Sequence, residues 1–285
     1  MDKILSLNKV TLIITTRCNL KCRFCCEYVS QNKPFPDMTP EEEKVILAEL
    51  FNIVENINTL HLSGGGEPFL HKELAELIEI AFEYKNLFDR FIIFTNSTIP
   101  ISNELLKTFI RYRDKILVHA SNYGIAKKQS ETLYKILEEN CIKHRIIKYY
   151  GNVQDFGGWV DFGKWESYGR TPGELSRVFH NCAVTRDMHG NWRTRDGKVH
   201  WCSRSQRGME LKFIPDNPDD YVDLFDNKTS REEKRNKFYL ISNKKFLLAC
   251  NHCSGEQGTQ DETKRIPAAE QEVVEYGGSD SCKCV

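Results

Sequence analysis

The 285-residue sequence predicts an α/β fold: a partial (β/α)6 barrel of TIM-like layout with a small C-terminal module of hairpin plus helix. Three observations predict it. Short apolar strands alternate with amphipathic helices through the first half, which implies parallel strands joined by right-handed crossovers. That alternation stops after about Gly151, where glycines interleave with aromatic residues. Two short extended runs then flank an Asp-Gly pair, the strongest short hairpin signal, and a late helix follows. In such a barrel the chemistry belongs at the C-terminal ends of the strands.

Val10 to Thr15 reads as the first strand. Thr39-Pro40-Glu41-Glu42 opens a helix, with Thr39 as N-cap, Pro40 in the first turn and Glu42 completing a capping box. Thr59 to Leu62 is the second strand and Lys72 to Tyr84 its helix. Phe91 to Thr95 is the third strand, with a helix over Asn103 to Arg111. Ile116 to Ala120 precedes a helix over Lys127 to Glu139, and Arg145 to Tyr149 is the fifth strand. From Gly151 to Gly169 an irregular edge carries Trp159, Phe162, Trp165 and Tyr168, aromatic faces that suit either closure of the barrel or a substrate wall. Asn191 to Arg195 and Lys198 to Cys202 form the hairpin around Asp196-Gly197, and a helix runs from Arg231 to Ile241. The domains read as 1–150 for the core, 151–255 for barrel completion and the C-terminal module, and 256–285 for an acidic tail expected to be disordered.

Lys plus Arg equals Asp plus Glu at 40 each, so phosphate neutralisation has no excess charge behind it and nucleic acid is not expected as a partner. No apolar run reaches the length of a membrane span, and the start lacks the apolar stretch of a signal peptide, so a cytoplasmic location is expected. Eleven cysteines in a reducing compartment point to metal or cluster ligation rather than disulfides, because they are grouped and odd in number.

Cys18, Cys22 and Cys25 follow the first strand. Three thiolates at this spacing can hold three irons of a cubane and leave the fourth iron open to a ligand. Core or zinc cysteines are the plain alternative, although zinc sites usually close with four ligands. Ser63-Gly64-Gly65-Gly66-Glu67-Pro68 follows the second strand. Its glycines let backbone approach a ligand, and Glu67 offers an anion to an ammonium group.

The Cys-x3-Cys-x2-Cys spacing, with Phe24 before the last cysteine, resembles the radical S-adenosylmethionine (radical SAM) superfamily, and Gly65, Gly66, Glu67 and Pro68 match that family's Gly-Gly-Glu-Pro stretch. The likeness covers roughly residues 9–150. It implies a [4Fe–4S] cluster whose open iron binds S-adenosylmethionine, and reductive cleavage to a 5′-deoxyadenosyl radical that takes a hydrogen atom from substrate. It also implies Phe24 near the adenine, the Gly-Gly-Glu-Pro residues on the methionine amino group, and Asn96, Ser121 and Asn122 as ribose and methionine contacts. Ordinary turn chemistry is the alternative for the last three.

Cys182, Cys202, Cys250 and Cys253 form a second group: a lone cysteine, a hairpin, a second cysteine, then Cys-x2-Cys. The order resembles the twitch module, a reduced SPASM domain, and is similar to twitch enzymes that dehydrogenate aminocyclitols. The resemblance implies a second, auxiliary [4Fe–4S] cluster; a zinc site on the same cysteines is the competing reading. Arg186, Arg193, Arg195, Lys198, Arg204 and Arg207 outnumber Asp187 and Asp196 there. This suits an anionic substrate, a cluster's charge, or a solvated hairpin face.

The expected activity is dehydrogenation of a secondary alcohol on a sugar or cyclitol, with Arg170 or Arg145 orienting or deprotonating the hydroxyl. The rivals are a radical epimerase of a carbohydrate or ribosomal peptide, with Cys26 or Cys141 as hydrogen donor, and a peptide cross-linking enzyme, ranked lower for its short N-terminal segment. A non-catalytic iron–sulfur or zinc protein is the fourth. The partners expected are a small-molecule or peptide substrate and a reductant such as flavodoxin or ferredoxin. His119 is a candidate pocket residue or a structural one. Cys282 and Cys284 fall in the tail.

Overall fold

Alternation decides which way each strand faces. In β1 (Ser6–Leu12), Val10 and Leu12 are buried in the apolar core, while Lys9 and Thr11 take the opposite face. The same division holds in β2 (Asn56–Leu62), where Leu60 and Leu62 join the core and His61 turns away. The computed structural model describes residues 4–30, 32–63, 65–157, 159–255, 258, 261–268 and 270–272. Cys282, Cys284 and the rest of the expected tail beyond residue 272 lie outside the described residues.

The remaining elements follow in order: α1 (Pro40–Ile53), α2 (Leu74–Glu83), β3 (Phe88–Thr95), α3 (Asn103–Arg111), β4 (Ile116–Asn122), α4 (Lys127–Glu139), β5 (His144–Lys148), α5 (Pro172–Asn181), α6 (Ala183–Arg186), β6 (Trp192–Thr194), β7 (Lys198–His200), α7 (Ser203–Glu210), β8 (Tyr221–Asp223) and α8 (Arg231–Ser242). They form one eight-stranded sheet in the order β5-β4-β3-β2-β1-β6-β7-β8. Strands β1 to β5 are parallel, and β6 runs parallel to β1 on its other side, through Val10↔Trp192 to Leu12↔Thr194. The architecture is the partial α/β barrel that the alternation predicts. The hairpin β6–β7 and strand β8 extend the same sheet from β1. Among the described residues no helix is long and apolar enough to cross a membrane.

The capping box at Thr39 and Glu42 is present, and α3 and α4 have the predicted bounds. Strands β1 and β2 start three or four residues earlier than their apolar runs. There the polar positions pair laterally: Asn58 donates to Asn8 at 3.1 Å, and Asn8 donates to the Met188 carbonyl at 2.7 Å. Helix α5 lies just past the irregular edge, in a stretch to which the sequence reading assigns no element. Its signal, Thr171-Pro172 with Glu174, is a second capping box. Helix α7 carries no apolar stripe, because Arg204, Gln206 and Arg207 are themselves buried. The expected disordered tail is corrected over 261–268 and 270–272: Val160 bridges Arg265 and Cys22 bridges Gln271 in antiparallel fashion, so polar backbone rather than an apolar pattern docks these residues.

Candidate active site

The chain leaving β1 is stitched to the glycine-rich turn before it reaches the first cysteine. Thr15 bridges Gly65, Gly66 N donates to the Thr15 carbonyl at 2.8 Å, and Glu67 N donates to the Arg17 carbonyl at 2.8 Å. A Cβ on Gly66 would lie 1.9 Å from the Arg17 oxygen, and Gly65 holds a φ of +101°. Here the glycines serve the approach of two backbones, which fixes the start of the cysteine loop. Arg17 is ion-paired with Asp37 and donates to the Leu70 carbonyl, which fastens the same loop from outside.

Cys18, Cys22 and Cys25 line one cavity of about 280 Å3 together with Gly65, Gly66, Glu67, Asn96 and Ser121. Burial pushes each of the three thiols up to about 11. Glu67 is buried. Its carboxylate accepts from Asn96 N at 2.6 Å, Thr95 Oγ1 at 2.8 Å and Phe69 N at 3.0 Å, and burial raises it to about 7 against those bonds. Pro68 opens the 3-10 turn that Glu67 caps. Asn96 donates to Asn19 Oδ1 at 2.9 Å and lies 3.8 Å from Cys18 Sγ, so it holds the loop as well as lining the cavity. Asn122 accepts from Gly124 N at 3.0 Å in a turn and is not in the cavity wall. Phe24 faces a wider cleft of about 980 Å3, shared with Tyr28, Trp165, Phe213 and His252, and this cleft meets the first cavity at Cys25.

Beneath the loop the barrel lumen is polar. Lys9, Thr11, His61 and Arg193 line the same cavity, with Cys26 and Glu27 on its wall. Sequence reading missed Lys9, His61 and the place of Arg193. The available signal was the alternation of Lys9 and Thr11 with apolar neighbours. Burial and the Arg193 charge pull Lys9 down to about 8, and burial holds His61 well below 6.5, hence neutral. His119 packs on Phe94 at 4.4 Å between centroids, and among the described residues its buried Nε2 has no partner.

The expected catalytic residues separate. Cys26 lines the cavity. Cys141 is exposed after α4, on the side where β5 begins, opposite the strand ends that carry the cysteine loop. Arg145 is exposed on the edge strand β5. The Arg170 guanidinium donates to the Cys250 and Cys253 carbonyls, each at 2.6 Å, and to the Ser254 carbonyl at 3.3 Å, so it braces a loop and does not face the cavity. The basic excess is also committed internally. Arg193 pairs with Glu27 at 2.6 Å, Arg207 and Arg195 with Glu210, Arg186 with Asp187, and Lys198 with Asp216.

Cys182, Cys202, Cys250 and Cys253 line a second cavity of about 40 Å3. Cys182 sits where α5 ends and α6 begins, Cys202 precedes α7, and Cys250 lies in the 3-10 turn Leu248–His252. Burial pushes Cys182 up to about 11 and Cys202 up to about 12, and the other thiols of the set add to the rise. Four half-buried thiols, of which burial and then mutual repulsion raise Cys182, Cys202 and Cys250, suit a donor set neutralised by a metal or cluster. Among the described residues no three His, Cys, Asp or Glu side chains converge on a single-ion position; the cysteines of each set instead share a cavity wall.

Arg204 joins the two centres. It is buried, donates to the His252 carbonyl at 2.5 Å and to the Gly163 carbonyl at 3.3 Å, and also reaches Tyr28 Oη and the Lys164 carbonyl. Its guanidinium stacks on Trp165 at 3.6 Å. On the other side, residues 270–272 strap the first loop: Arg23 N donates to the Glu270 carbonyl at 2.9 Å, and the Gln271 amide lies 3.2 Å from Cys22 Sγ.

Residues 12–122 match the radical SAM superfamily. Over 93 residues the chain is 34% identical to the PqqA peptide cyclase of Bradyrhizobium diazoefficiens, a stretch covering 32% of this chain and 24% of that protein. Over 132 residues it is 29% identical to the GTP 3′,8-cyclase of Aliarcobacter butzleri, covering 44% of this chain and 39% of that protein. The chain therefore spans well under half the length of these curated relatives. Among solved structures, anSMEcpe with bound AdoMet aligns at a TM-score of 0.53 and 15% identity over 93% of this chain and 94% of that one. BtrN in complex with AdoMet and 2-DOIA aligns at 0.48 and 17% over 95% and 100%. The likeness to anSMEcpe is one of fold.

Proposed function

Because residues 12–122 form a radical SAM domain, we propose that this chain is a radical S-adenosylmethionine enzyme that oxidises a secondary alcohol of a sugar or cyclitol to a ketone. The observation that carries the oxidative half is the second cavity, walled by four half-buried cysteines. A cluster with all four irons ligated has no position for substrate, so its use is to exchange electrons.

Cys18, Cys22 and Cys25 are the residues to hold the first cluster, and Cys182, Cys202, Cys250 and Cys253 the second. When bound, the first would supply, with S-adenosylmethionine, the 5′-deoxyadenosyl radical that removes the carbinol hydrogen, and the second would take the electron left on that carbon. Gly65 and Gly66 bring backbone to the cavity wall and Glu67 sets a carboxyl beside it, the arrangement an amino-acid ammonium needs. The hydroxyl proton is released to water as the carbonyl forms, because burial holds the His61 imidazole in this wall well below 6.5 and makes it a weak acceptor. Arg204 and Arg170 hold the Cys250–Cys253 loop in place. Flavodoxin or ferredoxin supplies the priming electron.

One observation favours a second reading: the Cys26 thiol lines the cavity, where it can return a hydrogen atom, as an epimerase requires. One experiment separates them. Reconstituted protein is incubated anaerobically with S-adenosylmethionine, dithionite and a panel of sugars, cyclitols and their phosphates in heavy water. The dehydrogenase reading expects 5′-deoxyadenosine and ketone in equal amounts. Deuterium at an inverted carbon, without ketone, replaces it with the epimerase reading. No 5′-deoxyadenosine above the substrate-free background from fully loaded protein sinks both.

A further inference from the structure

The cations of the sheet's lumen face are not equivalent. Register places His61, Thr11 and Arg193 side by side on β2, β1 and β6, through Thr11↔His61 and Thr11↔Arg193. Lys9 lies two residues back on the same face of β1. Arg193 is neutralised within the fold by Glu27 at 2.6 Å, and it also donates to Gln206 Oε1 at 2.7 Å. Lys9 is not: among the described residues its ammonium has no hydrogen bond and no ion pair, and its one ring neighbour is Phe94 at 5.7 Å. Of the other titratable groups acting on it, Arg193 repels the ammonium and Cys26 and Glu27 attract it, while His61 is uncharged.

A cation held in a cavity without a counter-ion is costly, and a ligand's oxyanion relieves that cost. His61 can complete such a site through its ring N–H, and Thr11, whose hydroxyl donates to Asn191 Oδ1 at 3.3 Å, by turning that long hydrogen bond to the anion. Lys9 also precedes Cys18 by nine positions, so the lumen floor it occupies lies below the cysteine loop at the strand ends. We propose that Lys9, with Thr11 and His61, forms an oxyanion subsite on the floor of this cavity, which takes the phosphate or carboxylate of the substrate and turns the reacting carbon toward the cysteine loop. The substrate class is then a phosphorylated or carboxylated polyol. The inference rests on the radical SAM reading of the cavity but not on the choice of dehydrogenation.

The test is calorimetric titration of the anaerobically reconstituted protein with inorganic phosphate, with acetate and with S-adenosylmethionine, for wild type, Lys9→Met and Lys9→Arg. Phosphate or acetate is expected to bind wild type about tenfold more tightly than Lys9→Met, with Lys9→Arg recovering most of the loss. S-adenosylmethionine affinity is expected to be equal in all three. Preference for phosphate over acetate, or the reverse, identifies the oxyanion. Equal anion affinity in wild type and Lys9→Met, or no anion binding to wild type, overturns the subsite. So does loss of S-adenosylmethionine affinity in Lys9→Met, because Lys9 would then serve the methionyl carboxylate. Failure of wild type to bind S-adenosylmethionine instead sinks the radical SAM reading and leaves the anion comparison standing.

Discussion

At Gly66 the space for a side chain is already taken by the Arg17 carbonyl, 1.9 Å from where a Cβ would stand. Gly66→Ala must push the cysteine loop off the glycine-rich turn, and we expect a loss of about 3 kcal/mol in urea unfolding together with loss of S-adenosylmethionine binding. Glu43 is the opposite case. It is fully buried on α1, and among the described residues neither carboxylate oxygen has a partner, so burial raises it well above 4.5. The sign follows from linkage. Below the unfolded value both states are protonated; as pH rises through it the unfolded chain ionises first, and stability falls toward the folded value. Glu43→Met should therefore match wild type below pH 4.5 and exceed it by about 1–3 kcal/mol at pH 7, read from denaturation across that range. Equal stability at both pH values would refute the unpartnered carboxyl. At this scale the cysteines, Gly65, Gly66 and Glu67 were legible, because their chemistry ties residue type to local spacing. Lys9 and His61 were not, because alternation shows that they share a face with other polar residues but not that the face is a lumen.

Among the elements, α7 has no apolar stripe and depends on what its arginines hold. Arg204 ties the loop at 163–165, the Tyr28 phenol and the Cys250–Cys253 turn into one unit. Arg204→Met should cost about 2–4 kcal/mol and release these segments to faster hydrogen exchange, since several carbonyls lose their donor. Arg204→Lys should recover little, because an ammonium cannot reproduce the planar fork stacked on Trp165. The start of a helix was legible where a cap preceded an apolar stripe, as at Thr39. The cap at Thr171 was equally explicit, but its Gly/aromatic surroundings hid it. The strap at 270–272 has no sequence signal of its own, since it is held by backbone and amide bonds to the loop at Lys21–Arg23.

Over the whole molecule, one sheet carries both cysteine centres. The first loop leaves β1, β6 runs beside β1, and Cys202 follows β7 on the same hairpin. The Glu27–Arg193 ion pair and the Arg207 bond to the Glu27 carbonyl, at 3.1 Å, join the first loop to β6 and α7. The barrel alternation and the hairpin were legible as local patterns. Their union was not, because pairing of β6 with β1 spans some 180 residues and leaves no local mark. The account stands on two clusters in this one frame, so the most direct measurement is iron and zinc content with Mössbauer spectra after anaerobic reconstitution, for wild type and the Cys250→Ala/Cys253→Ala variant. The account predicts about eight irons per chain, falling to about four in the variant. About four irons with one zinc in wild type would contradict it, leaving the second centre structural and the reaction without an electron acceptor.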